Sequence, residues 1–267
     1  GYREAEVIES PMSDGGDGFV QVLTQALGGR FENCVVTGPY GDPVVARIGW
    51  VDFSRTAIIE SASASGLTLA PPERRNVVRA HSRGVGELMS RAASLGARRV
   101  IVGIGGTAMN DGGIGAVQAA GGLVLDSQGR QVDAGLSGLS MVDRVDLGAI
   151  PDAFGGIEII AACDVQNPLS GEDGATKVYG PQKGIRPEEI SEVDGHMMRY
   201  ASVLARDLGK DPGDLPMMGA GGGLAAALWA FFGARLVNGA KFVMEETGLL
   251  DCLAGADLVI TGEGRID

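Results

Sequence analysis

Apolar positions along this chain fall into two rhythms. Short runs rich in Val and Ile, bounded by Gly, Pro or Asp, are of strand type, and stretches with apolar residues three and four apart are of helix type. Phe19 to Leu27 has the helical spacing and stops at Gly28-Gly29, and Ser82 to Leu95 has it and stops at Gly96, which suits a C-cap. Gly115 to Ala120 continues in the same way, and Pro187 followed by Glu188-Glu189 opens a helix to about Leu208. Gly219-Ala220-Gly221-Gly222-Gly223 opens an apolar helix to Phe232, and residues 241–250 and 251–257 are further amphipathic segments. Ala97 to Ile104, Leu123 to Leu125, Ile157 to Cys163 and Leu258 to Thr261 are the intervening strands.

Two regions depart from this alternation. Residues 31–69 hold short β-type runs at Cys34 to Thr37, Val44 to Val51 and Thr56 to Ser61, separated by Gly-Pro and Gly-Asp-Pro turns, and antiparallel or mixed pairing is expected there. Residues 126–156 and the polar stretch Ser170 to Gly184 are expected as loops, and Pro71 to Asn76 as a rigid basic connection. Glu6 to Glu9 is a candidate short strand. The class is α/β, with a β-rich insert early. A parallel strand ordinarily feeds a crossover helix, and none follows Leu258 to Thr261, so pieces are expected to be absent at both ends.

Composition narrows the function classes. The 267 residues can bury a sizeable core, and the 44 glycines show no Gly-X-Y period, so the glycine is turn chemistry. A formal charge of −12 and a pI near 4.6 repel nucleic acid and anionic membranes, leaving an acidic small molecule in a local basic pocket. Cys34, Cys163 and Cys252 lie far apart without CxxC spacing and are expected as reduced thiols of a soluble cytoplasmic protein. His81 and His196 are the only histidines, too few for a His-rich zinc site.

The candidate chemistry sits where strands empty into glycine-rich, acid-bearing turns. Val100 to Gly113 is the fullest example, with Gly105, Gly106, Thr107, Asn110, Asp111 and Gly112 in one turn ahead of a helix. Glycines let backbone N–H groups approach a phosphate, and Asp111 would then serve a bridging Mg²⁺ or accept a proton; its other reading is as a cap of the helix that follows. Ser13 to Gly18 repeats the pattern, with Asp14 and Asp17 either turn residues or ligands. Asp164 and Asn167 stand at the C-terminal end of a buried-type strand, where α/β sheets bind ligands. Lys177, Lys183 and Arg265 supply positive charge, and Glu263 lies in the last glycine turn. Glu60 is either a buried acid bonded to a turn or an acceptor for a substrate hydroxyl. No Walker A string or protein-kinase set is present. The spacing Gly103-x-Gly105-x-x-Ala108 with Asp126 beyond it is a weak dinucleotide fingerprint, and it supplies the alternative of a nicotinamide-dependent oxidoreductase. Asn110-Asp111 inside the turn argues against it, because a carboxylate beside a pyrophosphate is repulsive. A non-catalytic sugar-acid-binding domain is a third reading.

The runs Ser13-Asp14-Gly15-Gly16-Asp17-Gly18, Ile59 to Leu67, Gly103 to Gly113, Ala162 to Leu169, Tyr179 to Gly184 and Ile260 to Asp267 occur in one order over nearly the whole chain. Together they resemble the bacterial type I glycerate kinase family. The resemblance implies ATP-dependent, Mg²⁺-assisted phosphorylation of D-glycerate, with 2-phosphoglycerate as the expected product. It also implies two α/β domains: a Rossmann-like one, here partial, from residues 1–35 and 256–267, and an inserted one with a mixed sheet at 36–255. The family's opening strand with its Asp-Ser-Phe-Lys segment, and everything after Asp267, are missing, so this chain alone is expected to be impaired. The expected roles are Asp164 and Asp111 as base or metal ligands and Lys183 as the charge that stabilises the transferred group. Gly105, Gly106, Thr107, Asn110, Gly112, Asp14, Asn167, Lys177, Glu263 and Arg265 are expected around substrate and phosphate. A homodimer is compatible with this picture.

Overall fold

The β-branched runs form one mixed sheet, because their side chains pack well on a pleated surface. The computed structural model describes residues 6–69 and 72–262. Its strands are β1 (Arg30–Thr37), β2 (Pro43–Val51), β3 (Thr56–Glu60), β4 (Arg99–Gly103), β5 (Leu123–Leu125), β6 (Arg144–Asp146), β7 (Glu158–Cys163) and β8 (Arg235–Asn238). Its α-helices are α1 (Phe19–Ala26), α2 (Ser61–Ser65), α3 (Arg83–Ser94), α4 (Ile114–Ala119), α5 (Leu136–Leu139), α6 (Ile150–Phe154), α7 (Ala175–Lys183), α8 (Ile190–Leu208), α9 (Leu224–Phe232), α10 (Gly239–Glu246) and α11 (Leu249–Leu253).

Six strands make the main sheet in the order β1-β2-β3-β4-β7-β8. β1, β2 and β3 pair antiparallel, as the early β-rich region predicts, and β3, β4, β7 and β8 run parallel. Period-two alternation sends Ile58, Ile101 and Ile160 to one face, under Phe19, Leu23, Phe242 and Val243 of α1 and α10. Ile59, Val100, Val102 and Ile159 face the other way, into the larger core with Leu88, Met89, Ile114 and Leu228 from α3, α4 and α9. With helices on both faces, the central strands are buried throughout, which is why they read as unbroken apolar runs. β5 and β6 form a separate two-stranded sheet.

Several expectations are corrected. Residues 126–156 are not all loop, since α5, β6 and α6 lie there. Residues 175–183 are helix α7, not loop: Gly180 and Pro181 depress helix propensity, but the helix packs on α8 and closes on Gly184 at φ 101°. β8 was not evident in the sequence, because its four residues Arg235–Asn238 are only half apolar. Residues 6–9 and 258–262 are not strands, and Leu258, Val259 and Ile260 are exposed, since a strand with no neighbour has no ladder to join. Residues 35 and 36 both lie in β1, which pairs with β2 along Arg30–Thr37.

Candidate active site

The C-terminal ends of β3, β4, β7 and β8 lie side by side and are crossed by the loop Ser13–Gly18. The crossing is close enough that only glycine fits. A methyl group on Gly15 would sit 2.6 Å from the Ala162 carbonyl oxygen, one on Gly105 would sit 2.6 Å from the Gly16 Cα, and one on Gly239 would sit 2.0 Å from the Asp14 carbonyl oxygen. The rim so formed carries Asp14 and Asp17, both exposed, with Gly106 exposed beside them and Asp164 half-buried at the end of β7. A Cβ on Gly106 would lie 3.5 Å from the Asp17 Oδ1. Asp14 turns one oxygen onto its own loop, where Oδ1 accepts from the Gly16 N–H at 2.8 Å.

Three carboxylates at these strand ends accept bonds from backbone amides at the starts of helices. Glu60 Oε2 accepts from the Val20 N–H at 3.2 Å, in the first turn of α1. Burial pushes its pKa up, against the pull of those amides, and its carboxylate is bonded to the start of α1. Asp164 Oδ1 accepts from the Ala240 N–H at 3.2 Å, at the start of α10, beside the Asn238 side chain that caps the same helix at Lys241 N.

Asp111 is fully buried. Its Oδ2 accepts from the Ser82 N–H (2.9 Å), the Ser82 hydroxyl (2.8 Å) and the Gly115 N–H (3.3 Å), and its Oδ1 accepts from the Gly113 N–H (3.0 Å). Those amides are the ones a phosphate would use at the start of α4. With both oxygens turned onto protein donors, Asp111 ties the start of α3 to the start of α4. Ser82, which no sequence motif singled out, is its main partner and also accepts from the Ala116 N–H at 2.9 Å.

Lys183 lies at the end of α7, almost wholly buried, and its Nζ donates to the Met109 carbonyl at 2.7 Å. Burial pulls its pKa down to about 8, with Asp111 pulling the other way. Asn110 is buried, and its Nδ2 donates to the Thr176 hydroxyl at 3.0 Å. Gly112 carries φ 63° and lies under the Tyr200 ring, where a Cβ would meet ring carbon at 2.9 Å. The turn 109–113 is thus held from below by Lys183, Thr176 and Tyr200, while Gly105 and Gly106 stand on the rim. Thr107 is buried and bridges to Gly66. Asn167 is fastened within its own loop, accepting from the Tyr179 hydroxyl and donating to the Asp173 carbonyl, both at 2.7 Å. Lys177 pairs with the exposed Glu172. Glu263 and Arg265 lie outside the described residues.

No cluster of three or more His, Cys, Asp or Glu side chains able to hold a metal ion occurs among the described residues. Mg²⁺ ordinarily takes only one or two protein carboxylates together with water and phosphate oxygens. The exposed Asp14 and Asp17 are hard oxygen donors of the kind that demand calls for, with Asp17 beside Gly106. The dinucleotide alternative lacks its structural context. The helix after β4 begins only at Ile114, and Asp126 belongs to the small sheet, paired with Arg130 at 2.8 Å. No helix of the described residues is long and apolar enough to cross a membrane.

Glycine-gated, acid-bearing turns at the C-terminal edge of a parallel sheet define an α/β protein built to hold a small polar ligand. Residues 2–267 match the Glycerate kinase family. A glycerate kinase of Haemophilus influenzae is 42% identical over 266 residues, covering all of this chain and 70% of the relative, and the glycerate 2-kinase of Escherichia coli K12 is 42% identical, covering 100% and 71%. The crystal structure of a Salmonella typhimurium LT2 protein assigned as glycerate kinase 2 superposes with a TM-score of 0.91 at 45% identity, covering this whole chain and 71% of that one. The chain belongs to the glycerate kinase family and is a phosphotransferase.

Proposed function

We propose that the protein transfers the γ-phosphoryl group of ATP to a hydroxyl of D-glycerate, with Mg²⁺, giving 2-phosphoglycerate, and that it does so at the rim of Asp14, Asp17, Gly105, Gly106 and Asp164. The observation that carries the site is the close crossing of the acid-bearing loop Ser13–Gly18 over the ends of β4, β7 and β8, where Gly15, Gly105 and Gly239 leave no room for a Cβ, at the ligand-binding edge of the sheet. Asp164 would accept the proton of the attacking hydroxyl, since it stands at a strand end, half-exposed, and the Ala240 N–H orients its carboxylate. Asp14 and Asp17 would hold Mg²⁺, which when bound bridges phosphate oxygens and offsets their charge. Gly105 and Gly106 let phosphate approach main-chain N–H groups. Lys183 acts from below, holding the Met109 carbonyl and so the turn.

The chain spans about 70% of its relatives, and residues 6–13 and 254–262 leave the body exposed. A Rossmann-like lobe built from the chain ends, carrying Glu263 and Arg265, would supply the facing wall. Free thiols at Cys34, Cys163 and Cys252 suit a reducing cytoplasm.

The test is incubation of the protein with ATP, MgCl₂ and D-glycerate, following ADP release and the ³¹P and ¹³C spectra of the product. ADP formed with glycerate, and phosphorus coupled to C2, is the expected result. Absence of ADP above background despite glycerate binding would leave the sugar-acid-binding domain in its place, and coupling to C3 would reassign the hydroxyl.

A further inference from the structure

We infer that the protein self-associates through β1, two copies pairing antiparallel across a two-fold axis at Asn33 so that their six-stranded sheets become continuous. The phase of the β1–β2 hairpin shows which backbone groups are available. Gly38 N–H donates to the Asp42 carbonyl at 2.7 Å, so Gly38 and Asp42 are a hydrogen-bonded pair. The next pair, Thr37 with Pro43, is a non-bonded one, consistent with a proline that has no N–H. Alternation along the register then gives the even-numbered residues of β1 to β2. It turns the N–H and C=O of Phe31, Asn33, Val35 and Thr37 outward, on the edge of the sheet.

Thr37 is already satisfied, because its N–H donates to Glu87 Oε2 at 2.7 Å and its hydroxyl to Oε1 at 2.8 Å. Phe31, Asn33 and Val35 have no such partner among the described residues. Apart from that Glu87 cap, Arg30–Thr37 holds no lysine, no proline and no bulge, and its charged Arg30 and Glu32 are even-numbered.

This edge is complementary to itself in one register. With Asn33 opposite Asn33 of a second copy, Phe31 meets Val35 of that copy and Val35 meets its Phe31, and every outward N–H and C=O of the three residues is used. A shift by two in one direction runs into the Glu87-capped Thr37, and in the other leaves Val35 opposite Gly29. The side chains agree. Phe31, Asn33 and Val35 all project to the face away from α3 and are exposed, Val35 by 74%, beside Val45 at 69%. Arg47 lies over the Phe31 ring at 5.1 Å. Pairing would align Val45, Val35 and the second copy's Phe31 in one apolar row, the kind of cross-strand contact that stabilises sheets. A second copy is therefore the occupant that matches both the backbone and the side-chain pattern. Since a strand edge is smaller than the roughly 1,200–2,000 Å² of a standard interface, the dissociation constant is expected on the order of 10 µM.

Sedimentation velocity from about 1 to 100 µM protein tests this. The expected result is a monomer–dimer equilibrium whose dissociation constant rises at least about tenfold in Asn33→Pro, which removes the outward N–H and fixes φ near −65°, the fold being checked by circular dichroism. The same rise is expected in Val35→Lys, a change at an exposed side chain that leaves the fold intact by circular dichroism. A monomer throughout the range, or a dimer that both variants leave unchanged, would overturn the proposal. So would concentration-independent protection of the Asn33 and Val35 amides from hydrogen exchange, since that would mean another segment of the same chain covers the edge.

Discussion

Asp111 and Asp164 have the same side chain and sit after similar strands, yet their surroundings separate them. Asp111 is buried and engaged by four donors, one of them the hydroxyl of Ser82, whereas Asp164 stands half-exposed on the rim. Asp111→Asn replaces an acceptor with an amide that cannot take all those bonds, and is expected to lower stability by about 3 kcal/mol, measured by urea unfolding. Asp164→Asn should leave stability within about 1 kcal/mol and lower turnover by about a hundredfold or more. Full activity in the latter variant would remove Asp164 as the base. Lys183 gives a pH test. Its folded pKa of about 8 lies below the usual lysine value of 10.5, so between the two the unfolded chain holds a proton that the folded chain lacks. The burial penalty is complete below pH 8 and disappears as pH rises to 10.5. Relative to Lys183→Met, the wild-type protein should therefore gain up to about 3 kcal/mol across that range, read from paired unfolding curves. A flat difference would show that the amine is not desolvated. Of these residues, Asp164 was legible from its place at a strand end. For Asp111 the capping of the following helix was readable from the turn, but its bond to Ser82 was not, because that partner lies 29 positions away.

At the scale of elements, the glycine turns matter more as packing than as ligands. The turn at 219–223 meets the turn at 109–113 so closely that a Cβ on Gly222 would lie 2.3 Å from the Met109 carbonyl oxygen, and Gly222 has φ 64°. Gly222→Ala therefore meets both a clash with backbone and an unfavourable conformation. We expect a loss of at least about 2 kcal/mol by thermal or urea unfolding, while Gly195→Ala, in an open position of α8, should be neutral or stabilising. Equal effects would show that the two turns can separate freely. The long periodic helices and the β-branched strands were readable because each encodes its own burial. Helix α7 was not, since Gly180 and Pro181 oppose the helix that α8 and the Met109 carbonyl help to hold.

For the whole molecule, order follows the sheet. β3, β4 and β7 are buried on both faces and should show the slowest amide exchange, whereas residues 257–262, which join no strand ladder, should exchange within seconds to minutes in a mass-spectrometric time course. Slow exchange at 257–262 in a dilute sample would mean that this segment is packed. Leu258 to Ile260 shows why apolar composition alone cannot decide a strand: the run has the right residues, and a strand also needs a neighbour. By itself the sequence determined the α/β class, the mixed early strands, the acid-bearing turns and the family, because apolar periodicity, turn chemistry and ordered motifs are all local along the chain. Only the tertiary structure decided which carboxylates are spent on capping helices and which face solvent, and which edge of the sheet is left with unpaired backbone. Those outcomes depend on contacts between residues far apart in sequence, such as Ser82 with Asp111, Glu60 with Val20 and Thr37 with Glu87.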